Sequence, residues 1–361
     1  MPSASSSARF ARTHAICRTE ILDYAEDLLS TFDDDVQHMM FACTGSEAND
    51  LAIRIARHHT GNQGIIITSE AYHGNSYLTA GFSPSHGDNL PLGTWVRRVA
   101  APDSYRIGHE ELVRRFTAGV SAQIQELRRH GVGVAAFIVD SLFSSDGIYS
   151  HPTSLLAPVA KVVREAGGLF IADEVQSGFA RSGDAMWGYQ RHGLRPDIVT
   201  MGKPMGNGFP VAGVALRNEV LASFGHDVRY FNTFGGNTVA IAAAHATLKV
   251  IRDEALLENA RDVGAFIREE ISKLAATHAS IGDVRGAGMY IGVEMVSDRD
   301  RRTPDGDMAT FVVNALREKR ILISATGPHS NVLKIRPPLV FTRQHAAQLV
   351  AEIDSILSVE S

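Results

Sequence analysis

Asp173 and Lys203 are the residues of this chain whose type and placement most invite a chemical reading. Each follows a short apolar run, 169–172 and 198–201, of the kind that forms a buried strand in a parallel sheet. Asp173 comes directly after the first run, and Lys203 lies two residues beyond the second. Ligands of open α/β sheets bind outside the carboxyl ends of the strands, so a carboxylate and an amine placed there would face one cleft. The amine can condense with an aldehyde to a Schiff base. The carboxylate can keep a ring nitrogen protonated so that the ring draws electrons. Pyridoxal phosphate chemistry needs that pair. Taken singly, Asp173 reads as a helix N-cap after a strand and Lys203 as a solvated surface amine. Neither account explains why both stand at strand ends among the glycines of GKPMGNG.

Two further stretches carry candidate residues. In CTGSEANDLAIRIAR, Gly45 and Ser46 open a helix whose buried face is expected at Ala48, Leu51, Ala52, Ile55 and Ala56. The free N–H groups of such a helix start suit a phosphate, although a Ser there is ordinarily just an N-cap. After a strand at 64–69 comes Tyr72-His73-Gly74. Tyr72 could stack on a planar ring or simply pack. His73 beside it reads as a hydrogen-bonded support in preference to a general acid or base.

The elements that must position these groups follow the chain in order. Apolar spacing predicts helices at 21–30, 110–130, 155–166, 219–224, 308–319 and 342–357, and a long helical stretch from Thr238 to Leu274 broken near Asp253. Strands are expected at 38–42, 64–69, 134–139, 211–216, 284–295, 321–323 and 333–336, besides the two that lead to Asp173 and Lys203. Residues 81–94, rich in Gly, Pro and Ser, read as a long functional loop. The pattern predicts an α/β fold: a mostly parallel central sheet sandwiched by helices over 21–254, and a smaller α+β domain over 255–361. Residues 1–20 form a poorly defined N-terminal segment, rich in Ser, Ala and Arg, that fits a transit peptide only loosely. It has no apolar core of a secretory signal, and a cytoplasmic location is expected. With 361 residues, 44% hydrophobic and 21% charged, and a net charge of −5, nothing points to nucleic acid. Only Cys17 and Cys43 are available, without metal-ligand spacing, so a zinc site and a disulfide framework are not expected.

CTGSEANDLAIRIAR, AYHG, FIADEVQSGFARSG, PDIVTMGKPMGNGFP, FNTFGGN and LKIRPPL occur in this order. Together they resemble the class III pyridoxal-phosphate-dependent aminotransferases of fold type I, and most of all the branch of alanine–glyoxylate-type aminotransferases and amino-alcohol-phosphate phospho-lyases. The resemblance implies roles. Lys203 would hold the cofactor as an internal aldimine and shuttle protons. Asp173 would pair with the ring nitrogen, with His73 beside it in the cofactor site. Val175 and Tyr72 would press on the two ring faces, and Gln176 would bond the ring's phenolic oxygen. Gly45 and Ser46 would hold the phosphate. Thr233 would reach the phosphate of a neighbouring subunit, making a homodimer with shared sites the active unit. Arg336 would bind a substrate carboxylate, a task suited to its planar fork, where the plainer reading is a strand-edge ion pair.

Two departures qualify the resemblance. The family carries a longer Gly- and aromatic-containing segment before the first helix, which helps form the substrate pocket; about 20 residues stand there in this chain, and a truncated start or a changed N-terminus would each explain it. The loop after Val139 reads DSLFSSDG, with Ser145 near the place where some members have an acid that gates the arginine. The first expectation is therefore transamination, moving an amino group from an amine or amino acid to an oxo acid. A phospho-lyase or racemase on the same scaffold is the alternative, and a cofactor-binding protein impaired in catalysis is a third.

Overall fold

The computed structural model describes residues 19–359. The N-terminal segment read at 1–20 lies almost wholly outside the described residues. The chain opens with α1 (Thr19–Leu29), whose Ile21, Tyr24, Ala25 and Leu28 form one buried stripe. There follow β1 (Val36–Ala42), α2 (Gly45–Thr60), β2 (Gly64–Thr68), the single turn α3 (Tyr77–Ala80), β3 (Val96–Val99), α4 (His109–Arg129), β4 (Val134–Val139), α5 (Leu156–Glu165), β5 (Leu169–Asp173), β6 (Ile198–Met201) and β7 (Ala212–Arg217). These seven strands make one sheet in the order β1-β7-β6-β5-β4-β2-β3. β2 to β6 pair in parallel, while β7 is antiparallel to both of its neighbours, β6 and β1. Every residue of β2, β4, β5 and β6 is buried, which demands a helical layer on each face. One layer packs Leu112 and Phe116 of α4 and Val159 and Val163 of α5 against the sheet. The other packs Leu51 and Ile55 of α2 with Val220 and Phe224 of α6 (Asn218–Asp227).

Beyond α6 run α7 (Thr238–Asp253) and α8 (Leu256–Leu274), separated where Ala255 takes a left-handed conformation. The remaining elements are β8 (Ile281–Ala287), β9 (Tyr290–Asp298), β10 (Thr303–Pro304), α9 (Gly306–Glu318), β11 (Ser324–Thr326), β12 (Val332–Ile335) and α10 (Arg343–Val359). They build a second, antiparallel sheet, β10-β9-β12-β11, with β8 also on β9. Its core joins Val293 and Leu333 to Ile267 of α8, Val312 of α9 and Ile353 of α10. The fold class is thus the α/β architecture that the sequence implied, a mostly parallel central sheet between helical layers.

Two local expectations need correcting, and one strand went unread. The stretch 284–295 is a hairpin and not one strand, because Gly286 (φ +138°) and Gly288 (φ +49°) take conformations that reverse the chain. The strand expected at 321–323 lies at Ser324–Thr326, where it pairs with β12. β3, with Arg97 and Arg98 inside a run of four residues, carries too short an apolar pattern to be read. Among the described residues no helix is long and apolar enough to cross a membrane.

Candidate active site

The helix start after β1 is capped by Thr44, two residues before the expected Ser46. The Thr44 hydroxyl accepts the Glu47 N–H at 3.2 Å, and the Glu47 carboxylate accepts the Cys43 N–H at 2.8 Å. The Gly45 and Ser46 N–H groups stand in the first turn of α2, where no earlier carbonyl reaches them. The Ser46 hydroxyl donates to Asn75 Oδ1 at 3.0 Å and accepts the Asn75 N–H at 3.1 Å. A Cβ on Gly74 (φ +140°) would come within 2.5 Å of Ser46 Oγ, and a Cβ on Gly45 within 2.9 Å of Val175 Cγ1. Bare backbone at both places keeps a cradle open at the positive end of α2, as a phosphate requires.

Asp173 ends β5 and is 4% exposed. Its Oδ2 accepts from Asn49 Nδ2 at 2.9 Å and lies 2.7 Å from His73 Nδ1, and its Oδ1 accepts the Val175 N–H at 3.1 Å. Burial pushes this carboxyl up, but His73, the Val175 N–H and Asn49 outweigh it and hold the group below the usual carboxylate range. An ionised Asp173 makes His73 Nδ1 the donor, and among the described residues His73 Nε2 has no partner. The neighbouring Glu174 points elsewhere. It accepts from Ser141 Oγ (2.5 Å), Ser177 Oγ (2.9 Å) and the N–H groups of Gly188 (2.7 Å) and Tyr189 (2.8 Å). Burial pushes its carboxyl up to about 7.

Asp173, Gly45, Ser46, Tyr72, His73 and Val175 surround a hollow of about 270 Å³ that also reaches Lys203 and Gln176. A larger chamber of about 760 Å³, with Arg336 and Tyr290 on its wall, and an opening of about 420 Å³, with Lys334, Arg336, Ser145 and Glu70, adjoin it. Lys203 and Gln176 line all three. Lys203 is accessible as a residue because it stands in open space. Surrounding protein still lowers the pKa of its amine: desolvation and Arg336 pull it down against Asp173 and Asp140. Gln176 Oε1 accepts from Arg336 Nη1 at 3.1 Å and from the Tyr290 hydroxyl at 3.2 Å, which leaves its NH₂ for the hollow. Thr233 is exposed and lines none of the three spaces.

Sequence reasoning missed three residues of this site. Asn49 is 1% exposed and bonds Asp173, the His73 carbonyl (2.7 Å) and Thr200 Oγ1 (2.7 Å). A polar residue on the apolar stripe of α2 was its signal. Asp140 begins the loop after β4, half-buried, with the Leu142 and Ser144 N–H groups at 2.9 and 3.2 Å. Lys334 alternates with Arg336 along the end of β12, and both cations overlie the Tyr290 ring, at 5.6 and 5.8 Å. Among the described residues neither cation has an ion-pair partner, and Glu70 on the same wall pairs with neither. Burial, Arg336 and Lys203 bring the Lys334 amine down to about 8, against Asp140.

Comparison with known proteins agrees with this geometry. The family profile Aminotransferase class-III matches residues 3–357. Ethanolamine-phosphate phospho-lyase homolog 1 of Caenorhabditis elegans is 40% identical over 360 residues, covering 94% of this chain and 77% of that protein. Alanine–glyoxylate aminotransferase 2-like of Drosophila melanogaster is 37% identical over 356 residues, covering 95% and 72%. The solved structure of a phospholyase from Arthrobacter in complex with phosphoethanolamine superposes with a TM-score of 0.92 at 41% identity, covering 96% of this chain and 83% of that one.

Proposed function

We propose, from the premise that this chain belongs to the class III aminotransferase family and works with pyridoxal 5′-phosphate, that its reaction is the removal of ammonia and phosphate from a small amino-alcohol phosphate. The observation that carries this reading is the cation pair Lys334 and Arg336, which faces the opening beside Lys203 and, among the described residues, is ion-paired to no carboxylate. A single carboxylate needs one planar fork; a phosphomonoester dianion calls for two cations. The likeness to the two phospho-lyases supports the same choice. Transamination, the first expectation from sequence, stays as the second reading because the alanine–glyoxylate relative is of similar identity.

The residues present fit the cofactor. Gly45 and Ser46 would hold its phosphate, Asp173 with His73 behind it would face the ring nitrogen, and Val175 and Tyr72 would flank the ring. The free NH₂ of Gln176 would meet the ring oxygen. When bound, the cofactor supplies an aldehyde carbon and an electron-withdrawing ring. Lys203 would hold that aldehyde and take the proton from the substrate carbon that bears nitrogen, for which a lowered amine pKa suits it. Lys334 and Arg336 would hold the phosphate while the C–O bond breaks and its electron pair leaves with the phosphate. In net terms one amino-alcohol phosphate and one water yield an aldehyde, ammonia and phosphate, with no oxidant and no second organic substrate.

A homodimer in the cytoplasm belongs to the same reading. Thr233 lies on an exposed apolar surface with Phe231, Phe234 and Val239, 58%, 67% and 61% exposed, as an intersubunit contact to the partner's phosphate would require. The deciding experiment supplies ethanolamine phosphate without any oxo acid. Equal amounts of ammonia and phosphate are expected. Amino transfer that depends on an added oxo acid, with no phosphate released, would make the protein a transaminase.

A further inference from the structure

We propose that Arg285 is a positioning residue for the anion site: it ties residues 144–148, which lie behind Lys334, to the second sheet, so that the cation pair and the floor of the hollow move as one piece. The inference rests on the reading of Lys334 and Arg336 as that site.

Residues 144–148 follow β4 and end in a kink, with Gly147 at φ +132° and Ile148 at φ +61°. Such a kink turns carbonyls away from any regular ladder, and buried carbonyls must find donors elsewhere. Here four of them find donors on the second sheet and its loops. Thr326 Oγ1 reaches Ser144 O at 3.0 Å and Ser145 O at 3.2 Å, and the Gly327 N–H donates to Ser145 O at 3.2 Å. Lys334 itself lies 3.5 Å from Ser144 O. Arg285 takes the other two: Nε donates to Gly147 O and Ile148 O at 3.0 Å each, and Nη2 to Gly147 O at 2.7 Å. Leu142 and Ile148 pack on Ala287 and Tyr290, the tyrosine that both cations overlie. On its other side the stretch is bound to the first sheet, where Asp146 accepts from Thr68 Oγ1 at 2.7 Å and from the Glu70 N–H at 3.1 Å. Residues 144–148 are therefore a strap, with carbonyls on one sheet and a carboxylate on the other.

Arg285 is itself held firmly. It pairs with Glu294 at 2.7 Å and Asp283 at 2.9 Å and lies over the Tyr149 ring at 4.6 Å. Glu294, 1% exposed, also pairs with Arg106 at 2.7 Å. A buried ion pair seldom adds net stability over apolar residues of the same size. What this one does is aim a planar fork at two carbonyls and two carboxylates together, which the single ammonium of a lysine cannot reproduce. Without the fork, Ser144 O and the Lys334 ammonium beside it lose their fixed separation from Arg336.

The test uses the full holoenzyme, inorganic phosphate as the anion probe, and hydrogen exchange. In Arg285→Gln the dissociation constant for phosphate should rise on the order of tenfold, as for a displaced charged contact, while the visible absorption of the bound cofactor stays unchanged. Exchange at 144–150 and at 324–327 should accelerate together. Thr326→Val, which removes only the hydroxyl contacts, should do the same to a smaller extent and serves if Arg285→Gln does not fold. Unchanged phosphate affinity in both variants, or acceleration of one segment without the other, overturns the strap. Wild-type enzyme that binds no phosphate overturns the anion site itself and with it the part assigned to Arg285 there, a failure distinct from the exchange result.

Discussion

At one end of the hollow the Asp173 carboxylate receives Asn49, His73 and the Val175 N–H, and Asn49 is anchored in turn by Thr200. At the other end Lys334 and Arg336 share a tyrosine ring, Arg336 also bonds Gln176, and among the described residues neither cation is ion-paired to a carboxylate. The Asp173 carboxylate is satisfied by the chain alone; the cations of the second end are not matched by an ion-paired carboxylate among the described residues. A carboxylate fully provided with donors can be held rigid before any ligand arrives, and that suits a cofactor retained through every turnover. A site that lacks an anion gains most from a ligand that brings one and then leaves with it. The contrast assigns cofactor to the Asp173 end and a phosphorylated substrate to the Lys334 end.

The sharpest way to break that assignment is at the point between the two ends. Lys203→Ala should abolish both turnover and the visible band of the bound cofactor, and borohydride should fix the cofactor to Lys203 in the parent. A band that survives the substitution would mean that another lysine carries the aldehyde. Next comes Asp173→Asn. Removing one partner of a buried charge contact costs about 3–5 kcal/mol, which is on the order of a hundred- to a few-thousandfold in rate if it all appears in the barrier. Near-normal turnover in a folded variant would detach Asp173 from the chemistry.

Lys334 addresses the other end. Lys334→Met should raise KM for ethanolamine phosphate about ten- to a hundredfold, the loss expected for one charged contact to phosphate. The half-reaction with an unphosphorylated amine should be unchanged. Equal damage to both substrates would refute a phosphate-specific role. The amine, brought down to about 8 in the free protein, binds an anion only when protonated. Below that pH Lys334 is charged and kcat/KM for the phosphorylated substrate should not vary with its titration, and above it kcat/KM should fall by up to about tenfold per pH unit. In Lys334→Arg, whose guanidinium stays charged, that limb should move out of reach.

The same contrast explains what could be read from residues alone. Asp173 and Lys203 were legible because each terminates an apolar run, and a strand's end places its last side chain at the mouth of the sheet. Val175 and Gln176 were reached only through the family resemblance, and Tyr72, though its place after a strand made it a candidate, could not be told from a packed side chain by its spacing. Lys334 was hidden because alternation in a strand of four residues is too brief to separate a face, although Leu333 points into the core and Lys334 does not. Arg285 was hidden by the misread hairpin: a single strand over 284–295 gives no reason to bring its side chain to Gly147. Such contacts link residues far apart in sequence, and only the fold brings them together.

The smallest effect should come from Asn49, and it separates support of Asp173 from mere packing. Asn49→Ala strands the His73 carbonyl and the Thr200 hydroxyl in a buried place, at about 1–3 kcal/mol for each group left unpaired, so a fall in melting temperature is expected. Asp173 also loses one of the donors that hold its pKa down. A depressed carboxyl contributes stability that is present above its unfolded pKa and is lost as pH falls through the folded value. Weakening the depression narrows that interval, so acid unfolding should begin at higher pH than in the parent. Thr200→Val is the comparison, since it unpairs Asn49 Oδ1 but leaves the donor to Asp173 in place. It should lower the melting temperature without moving the acid limb. If the two variants shift acid unfolding equally, Asn49 acts through packing, and the completeness of the Asp173 end owes nothing to it.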